Sequence, residues 1–294
     1  MDYLLMVFSE DEVYWLEKFV DDWFFVLAIA VFIIELIRYA IKSKITWNFI
    51  SDSITNFVTL FATTSINALF AVLFYVTLFY FVYEHYSITH LPMTGWTIAG
   101  CIILADLAYY WEHRFLHSNG FAWATHNVHH SSPHFNISVA YRHGPLDGLF
   151  PLFFHLPLAF LGFNPLIIFF SEVFVQVFQT LLHTEAVKKF PTMIEGVFNT
   201  PSHHRVHHAT NKKYLDKNYA GIFIIWDRMF GTFAKEDEKV NYGVFPRVNS
   251  VNPLKVYFYG YYKLGKQLIK ANSWHTRLRL FYKTPIWGWK QENK

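Results

Sequence analysis

The sequence predicts an all-α, integral-membrane helical bundle of about four or five membrane segments, carrying a histidine-rich helical cap on its cytoplasmic side. Three observations lead there. Of 294 residues, 53 % are apolar, 20 % aromatic and only 16 % charged, whereas a soluble domain carries about a quarter charged residues. Apolar runs recur at lengths that suit a bilayer about 30 Å thick. Nine of the 16 histidines stand in tight clusters or at the end of such a run.

Residues 1–22 are acidic and lack the basic start of a cleavable signal peptide, so none is expected. The first apolar run is 23–41. Glu10, Asp11, Glu12, Asp21 and Asp22 precede it, and Arg38, Lys42 and Lys44 mark its end. The positive-inside rule then places the N-terminus outside and the 38–44 segment in the cytoplasm. A second run, 54–83, leads back out, and Pro92 and Gly95 mark a turn. The third, 96–111, returns inward and delivers Glu112, His113 and Arg114 to the cytoplasmic face. Runs 149–161 and 166–182 are separated by Gly162, Asn164 and Pro165. They read as a tight hairpin that either crosses out and back or re-enters the membrane, and His183 emerges on the cytoplasmic side. Beyond residue 190 the chain looks peripheral. Residues 250–294 mix Tyr257, Phe258, Tyr259, Tyr261 and Tyr262 with Lys255, Lys263, Lys266 and Lys270, then Arg277, Arg279 and Lys283 with apolar groups. This is the pattern of interfacial amphipathic helices; an ordinary surface helix is the rival reading.

The 32 Phe, 18 Tyr and 10 Trp suit lipid-facing helices and headgroup belts. The net charge of +3 is mild and no basic stripe stands out, so nucleic acid is not an expected partner. Cys101 is the single cysteine and lies in an apolar run, which excludes a disulfide framework and a thiolate metal cluster.

His113 and His117 form HxxxH. His126, His129 and His130 form HxxHH, and His204, His207 and His208 form another, preceded by His203. Residues three and four apart share a helix face, so each cluster is expected to project its imidazoles in one direction. His183 closes the last apolar run and can point at the same place. These nine histidines exceed what one ion takes, so two metals are expected, with His143 and His203 as two further candidates. Imidazole suits zinc, copper, iron and nickel. Iron is the choice where dioxygen is involved, because zinc has no redox chemistry, although zinc would fit the same donors. Asp106, Glu112, Glu185 and Asp227 lie near the clusters. They are candidate acceptors for the second N–H of the metal-bound rings, and Asp227 serves equally well as a structural salt-bridge partner. His85, His90, His134, His155 and His275 stand apart and read as structural.

The segments HRFLH, HNVHH and HRVHH, in this order, resemble the histidine boxes of the fatty acid hydroxylase/sterol desaturase superfamily. The likeness extends to Asp106–Trp111, Ser131-Ser132, Gln179–Glu185, Pro201–His208, Lys217–Ile222 and Trp226–Phe233, covering roughly residues 100 to 235. TPSHHRVHH and KNYAG…IIWDRMFGTF are most similar to the alkylglycerol monooxygenase-like branch. Pro133-His134 departs from that branch, which has a glutamate there, and Tyr141–Asp147 is more similar to sterol and fatty-acid members. The resemblance implies one membrane domain over 1–294 and a di-iron site that uses O2 to hydroxylate, or desaturate, a lipid C–H bond. The lipid would be fatty acyl, sterol/isoprenoid or ether lipid. It also implies an electron donor, either a protein or a reduced pterin such as tetrahydrobiopterin. The nine histidines would then be the catalytic metal ligands. The compact length leans towards a bacterial inner membrane.

Two other classes compete. A membrane metal-binding or transport protein would place ionisable groups deep along its helices. A zinc-dependent membrane hydrolase would carry HExxH, which is absent. The ferritin-like Glu-x-x-His pattern is absent too.

Overall fold

Ser9 starts the first helix: its hydroxyl accepts from the Glu12 amide, and the Glu12 carboxylate accepts from the Ser9 amide, two orphan donors satisfied reciprocally. Helix α1 (Glu10–Ile41) then runs 32 residues, about 48 Å at 1.5 Å per residue. The computed structural model describes residues 6–42, 44–70 and 74–292. After α1 come α2 (Trp47–Phe70), α3 (Val76–Tyr86), α4 (Gly95–Ser118), α5 (Gly120–His130), α6 (Phe150–Phe160) and α7 (Pro165–Thr180). The rest comprises α8 (Thr192–Val197), α9 (Pro201–His207), α10 (Ile225–Met229), α11 (Pro253–Tyr257), α12 (Tyr259–Lys270), α13 (Trp274–Tyr282) and α14 (Pro285–Glu292). Among the described residues β-structure is limited to isolated bridges.

A bundle of α1, α4, α6 and α7, with α3 against α6 and α7, forms the first layer. Its core holds Val13, Phe79, Ile98, Cys101, Ala105, Leu158, Ile167 and Phe170. The starts of α1 and α4 and the α6–α7 turn meet at one end. There Phe8 N–H donates to Met93 O at 2.7 Å, Leu91 N–H to Gly162 O at 2.9 Å, and Asn164 Nδ2 to Glu10 Oε1 at 3.0 Å. Gly162 turns the α6–α7 hairpin at φ +100°, and a Cβ on it would lie 2.1 Å from Thr89 O. The other ends of α1, α4 and α7 lead to the histidines.

The apolar stretch 54–83 differs from the expected single run. Helix α2 begins at Trp47 and is tied sideways to the histidine layer: Asp52 and Asn56 to Arg142, and Thr63 to Gly144 O. It therefore runs along that layer, and α3 alone leads to the far end; residues 71–73 of the stretch lie outside the described residues. The reason is the polar face Asp52, Ser53, Thr55, Asn56, Thr59 and Thr63, which is buried and needs partners that lipid does not offer.

Helices α11 to α14 pack around α5 as a cap. Helix α12 approaches so closely that a Cβ on Gly260 would lie 1.9 Å from Asn127 Nδ2 and 2.1 Å from Ala124 O.

Arg142 joins the layers. It is 1 % exposed. Its guanidinium donates to Val128 O (3.1 Å) and Ser131 Oγ (2.9 Å) at the end of α5, and to Asp52 (2.8 Å) and Asn56 (2.7 Å) on α2. Removing one partner of a buried pair leaves an uncompensated charge. Asp52→Ala is therefore expected to cost about 3–5 kcal/mol, read as a lowered midpoint in thermal unfolding of the detergent-purified protein; an unchanged midpoint would contradict the clamp.

Candidate metal centre

Asn119 both ends α4 and starts α5, its side chain accepting from the Phe121 and Ala122 amides at 3.0 and 3.1 Å. The break folds α5 back against the last turns of α4, bringing the first two histidine clusters together. His183 follows the end of α7, and Pro201 opens α9, which carries the third cluster.

All nine histidines meet in two buried groups. His113, His117, His126, His130 and His207 form one, and His129, His183, His204 and His208 the other; within each, the ligand nitrogens all lie within 4.8 Å of one another. The clusters do not each point one way. In both HxxHH boxes the i/i+4 pair joins one group and the middle histidine the other. At about 100° per residue, the i+3 and i+4 positions diverge enough to face different centres. Helix α5 gives its pair to the five-histidine group and α9 gives its pair to the four-histidine group.

Backbone carbonyls orient the rings. Nδ1–H of His113 donates to Tyr219 O (2.8 Å), of His207 to Lys217 O (3.0 Å), of His129 to Arg142 O (3.2 Å) and of His183 to Gln179 O (3.0 Å). A carbonyl can only accept, so each of these neutral rings turns a lone pair inward on Nε2. Yet His129 and His183 face each other Nε2 to Nε2 at 3.2 Å. His204 Nε2 is a further 3.0 Å from His183 Nε2, and His207 Nε2 is 3.1 Å from His130 Nε2. Two lone pairs at that distance repel unless a cation lies among them. The donor set therefore fits metal ions.

Burial is the first cause, and neighbouring imidazoles a further one, that holds His113, His126, His129, His130, His204, His207 and His208 well below the usual histidine range. Burial also lowers His183, to about 3. Neutral imidazole is the form that ligates.

None of the four expected carboxylates hydrogen-bonds a histidine of either group. Asp227 acts one step removed, accepting from the Tyr219 and Ala220 amides at 2.8 Å while the Tyr219 carbonyl serves His113. Asp106 accepts from the Ile222 and Phe223 amides and from Trp226 Nε1, fixing the same loop. Glu185 accepts from Tyr242 OH at 3.3 Å. Glu112 points into the bundle, 3.8 Å from His155 Nδ1. The carboxylates that do approach the rings are Asp147, 3.9 Å from His126 Nδ1, and Asp216, 3.8 Å from His117 Nδ1. Loop 216–219 thus serves three rings of one group, with Asp216 and Asn218 both at φ +57°, a conformation that Asp and Asn tolerate better than most residues. His143 and His203 stay outside both groups. The first lies 3.6 Å from Asp147 and the second 3.9 Å from Glu195. Sequence reasoning missed Arg142, Asp147, Asp216 and also Arg205. Arg205 ties α9 to Glu236 and to the Thr184 and Val187 carbonyls beside His183.

A cavity of about 600 Å³ opens onto His117, His130 and His207, walled by Trp123, Asn127 and Leu264 among others.

Residues 98–232, which contain all nine histidines, match the fatty acid hydroxylase family model. This stretch is a fatty acid hydroxylase domain. Alkylglycerol monooxygenase of Homo sapiens is 36 % identical over 72 % of this chain and 48 % of its own length. The Danio rerio protein of the same name is 38 % identical over 70 % of this chain and 46 % of its own. The ornithine lipid hydroxylase OlsE of Rhizobium tropici is 30 % identical over 51 % of this chain and 45 % of its own. The chain thus spans about half the length of the curated relatives it matches. No solved structure matches it.

Eight imidazoles with lowered pKa are neutral in the fold, while unfolded histidine titrates near about 6.5. Below that pH the unfolded chain takes up protons that the folded centre refuses. The metal-free protein should therefore hold its full stability above pH about 6.5 and lose it progressively as the pH falls towards the folded values. Unfolding midpoints of chelator-treated protein across that range check this; a flat profile would count against neutral, buried rings.

Proposed function

We propose that the chain is a membrane-bound di-iron oxidoreductase that uses O2 to hydroxylate, or desaturate, a lipid C–H bond. The observation carrying this is the inward-facing lone pairs of His129 and His183, within a fatty acid hydroxylase domain. In this reading His113, His117, His126, His130 and His207 hold one iron and His129, His183, His204 and His208 the other. Bound there, two ferrous ions would supply dioxygen activation and the power to oxidise an unactivated C–H bond, with electrons from an external donor, a protein or a reduced pterin.

The chain's own residues keep the centre assembled and dry. The carbonyls of Tyr219, Lys217, Arg142 and Gln179 fix ring orientation; Asp227 and Asp106 fix the loop that presents two of the four. The cavity at His117, His130 and His207 offers room for a reacting partner beside the centre. Names of relatives point to lipids with a glycerol ether or an amino-acid headgroup, and the substrate is proposed at that level.

Helix α1 is long and apolar enough to cross a bilayer, yet only 17 % of its most apolar stretch is buried. Trp15, Phe19, Trp23, Phe25, Ile33 and Ile37 are all at least half exposed, which lipid would relieve. Its far end reaches the histidine layer, where the Ile137 amide donates to Glu35 and Tyr39 OH to Phe135 O. Arg38 and Lys42 sit at this end, which supports a cytoplasmic centre and an outside N-terminus.

One observation favours the transport alternative: an ionisable cluster inside the bundle. His155 Nδ1 lies 3.5 Å from Glu172 and 3.8 Å from Glu112, and Tyr75 OH donates to Glu172 at 2.7 Å. Both His155 nitrogens, however, lie 3.2 Å from backbone carbonyls rather than facing other imidazole nitrogens. The cluster also stands apart from the nine histidines.

Iron-loaded protein in lipid, given a reductant and a 1-O-alkylglycerol, is expected to consume oxygen in step with lipid oxidation. Losing an outer partner of a ligand costs about 10- to 100-fold in such centres, so His129→Ala is expected to cost at least that. His207→Ala and His204→Ala should each lose one of two bound metals. Ion uptake into vesicles without oxygen, and no oxygen consumption with any lipid, would refute the reading.

A further inference from the structure

The charge of this chain is segregated. From residue 251 to the end there are nine Lys and Arg against one Glu, which leaves 16 basic against 21 acidic residues in the first 250. A tail of net +8 thus follows a body of net −5, hidden in a total of +3. That basic tail folds into the cap of α11 to α14, which roofs the cavity over the histidines: Tyr259, Leu264 and Gln267 of α12 and Leu280, Pro285 and Ile286 all line it.

The outer faces of these helices share one design. On α12, Gly260 and Leu264 are buried against α5, whereas Tyr262, Lys266, Ile269 and Lys270 are exposed at i, i+4, i+7 and i+8. On α13, Trp274, Leu278 and Tyr282 are exposed at successive i+4 steps while Leu280 is buried. Ile269 is 81 % and Trp274 75 % exposed, too much apolar surface to face water without reason. Cations stack on the rings of this surface: Lys266 over Tyr262 at 4.6 Å, Arg277 over Trp274 at 5.2 Å and Lys283 over Tyr282 at 5.4 Å. An apolar stripe flanked by cations on amphipathic stems matches a bilayer surface whose phosphates are negative.

We propose that α12 and α13 dock the cap onto anionic lipid headgroups, seating the roof of the cavity on the bilayer from which its lipid comes. This rests on the membrane reading above and adds a lipid-charge requirement to it. Neutral lipid would satisfy the exposed apolar stripe alone; anionic lipid would also complement the net charge of +8 that the tail carries.

The test uses the full chain in vesicles. Cys101 is buried, so Leu278→Cys can carry an environment-sensitive fluorophore on the outer face. In phosphatidylcholine with phosphatidylglycerol, the label should shift to the blue and resist aqueous quenchers. In phosphatidylcholine alone it should stay wet, and high salt should reverse the shift. Each charge removed by Lys266→Gln or Lys270→Gln should raise the phosphatidylglycerol needed for half the shift about fivefold. Lys266→Glu with Lys270→Glu should abolish it while the cap stays folded, as judged by circular dichroism. Equal emission in neutral and anionic vesicles, or an unaltered response in the Glu variant, would overturn the proposal. So would the same shift caused by a soluble polyanion such as heparin. A chain that washes off neutral vesicles at high pH refutes the membrane reading itself, whereas a silent label on a chain that stays in the bilayer refutes only the docking.

Discussion

Nine imidazoles crowded into a water-poor layer, eight of them held unprotonated by burial, are the constraint on which the structure depends. A histidine in water shares its two ring nitrogens with solvent and takes a proton near neutrality. Here burial removes the water, and the charged form becomes too costly to keep. Each ring must then place one N–H and one lone pair on fixed partners. Carbonyls of Tyr219, Lys217, Arg142 and Gln179 take four of the N–H groups. What remains is a set of lone pairs pointing at one another, which is why the arrangement reads as a ligand set rather than a hydrogen-bonded core.

Those carbonyls must themselves be held, and much of the fold serves that end. Arg142 fastens its own backbone, and so the acceptor of His129, by spanning from the end of α5 to Asp52 and Asn56 on α2. Asp227 takes the amides of Tyr219 and Ala220, so the loop that serves His113, His117 and His207 cannot drift. Arg205 ties α9 to the turn after α7. In each case a buried charge holds backbone, and the backbone holds a ring. The indirectness is physical: a carboxylate set directly on every Nδ1 would add several negative charges to an interior that can solvate few of them.

This layering explains what the sequence could disclose. Histidine spacing is a local property, so HRFLH, HNVHH and HRVHH were legible, as were the helices beneath them and the α6–α7 hairpin marked by Gly162, Asn164 and Pro165. Partners chosen through space were not. Asp106, Glu112, Glu185 and Asp227 are near the histidines in sequence, but Glu112 lies next to His113 on a helix and must therefore face another way. Asp147 and Asp216, which approach His126 and His117, come from loops whose paths depend on tertiary contacts. The hydropathy of 54–83 was misleading for a similar reason. Its Thr55, Asn56, Thr59 and Thr63 continue the face of α2 begun by Asp52 and Ser53, and that buried polar face packs on the histidine layer.

The HxxHH box itself yields more than a count of ligands. Its outer pair, four residues apart, lies on one helix face, and its middle member is rotated by about 60° from the first at 3.6 residues per turn. One helix carrying such a box can therefore serve two centres. Two such helices, α5 and α9, can share both centres if each gives its pair to the group where the other gives its single ring, as seen here. The shared core is then three histidines at each centre. The rest follows from chain inventory: α4 adds His113 and His117 to one, and the turn after α7 adds His183 to the other. The five-and-four asymmetry is thus a consequence of which elements end at the layer. It also leaves the two centres chemically distinct, and the large cavity meets the richer of the two through His117, His130 and His207.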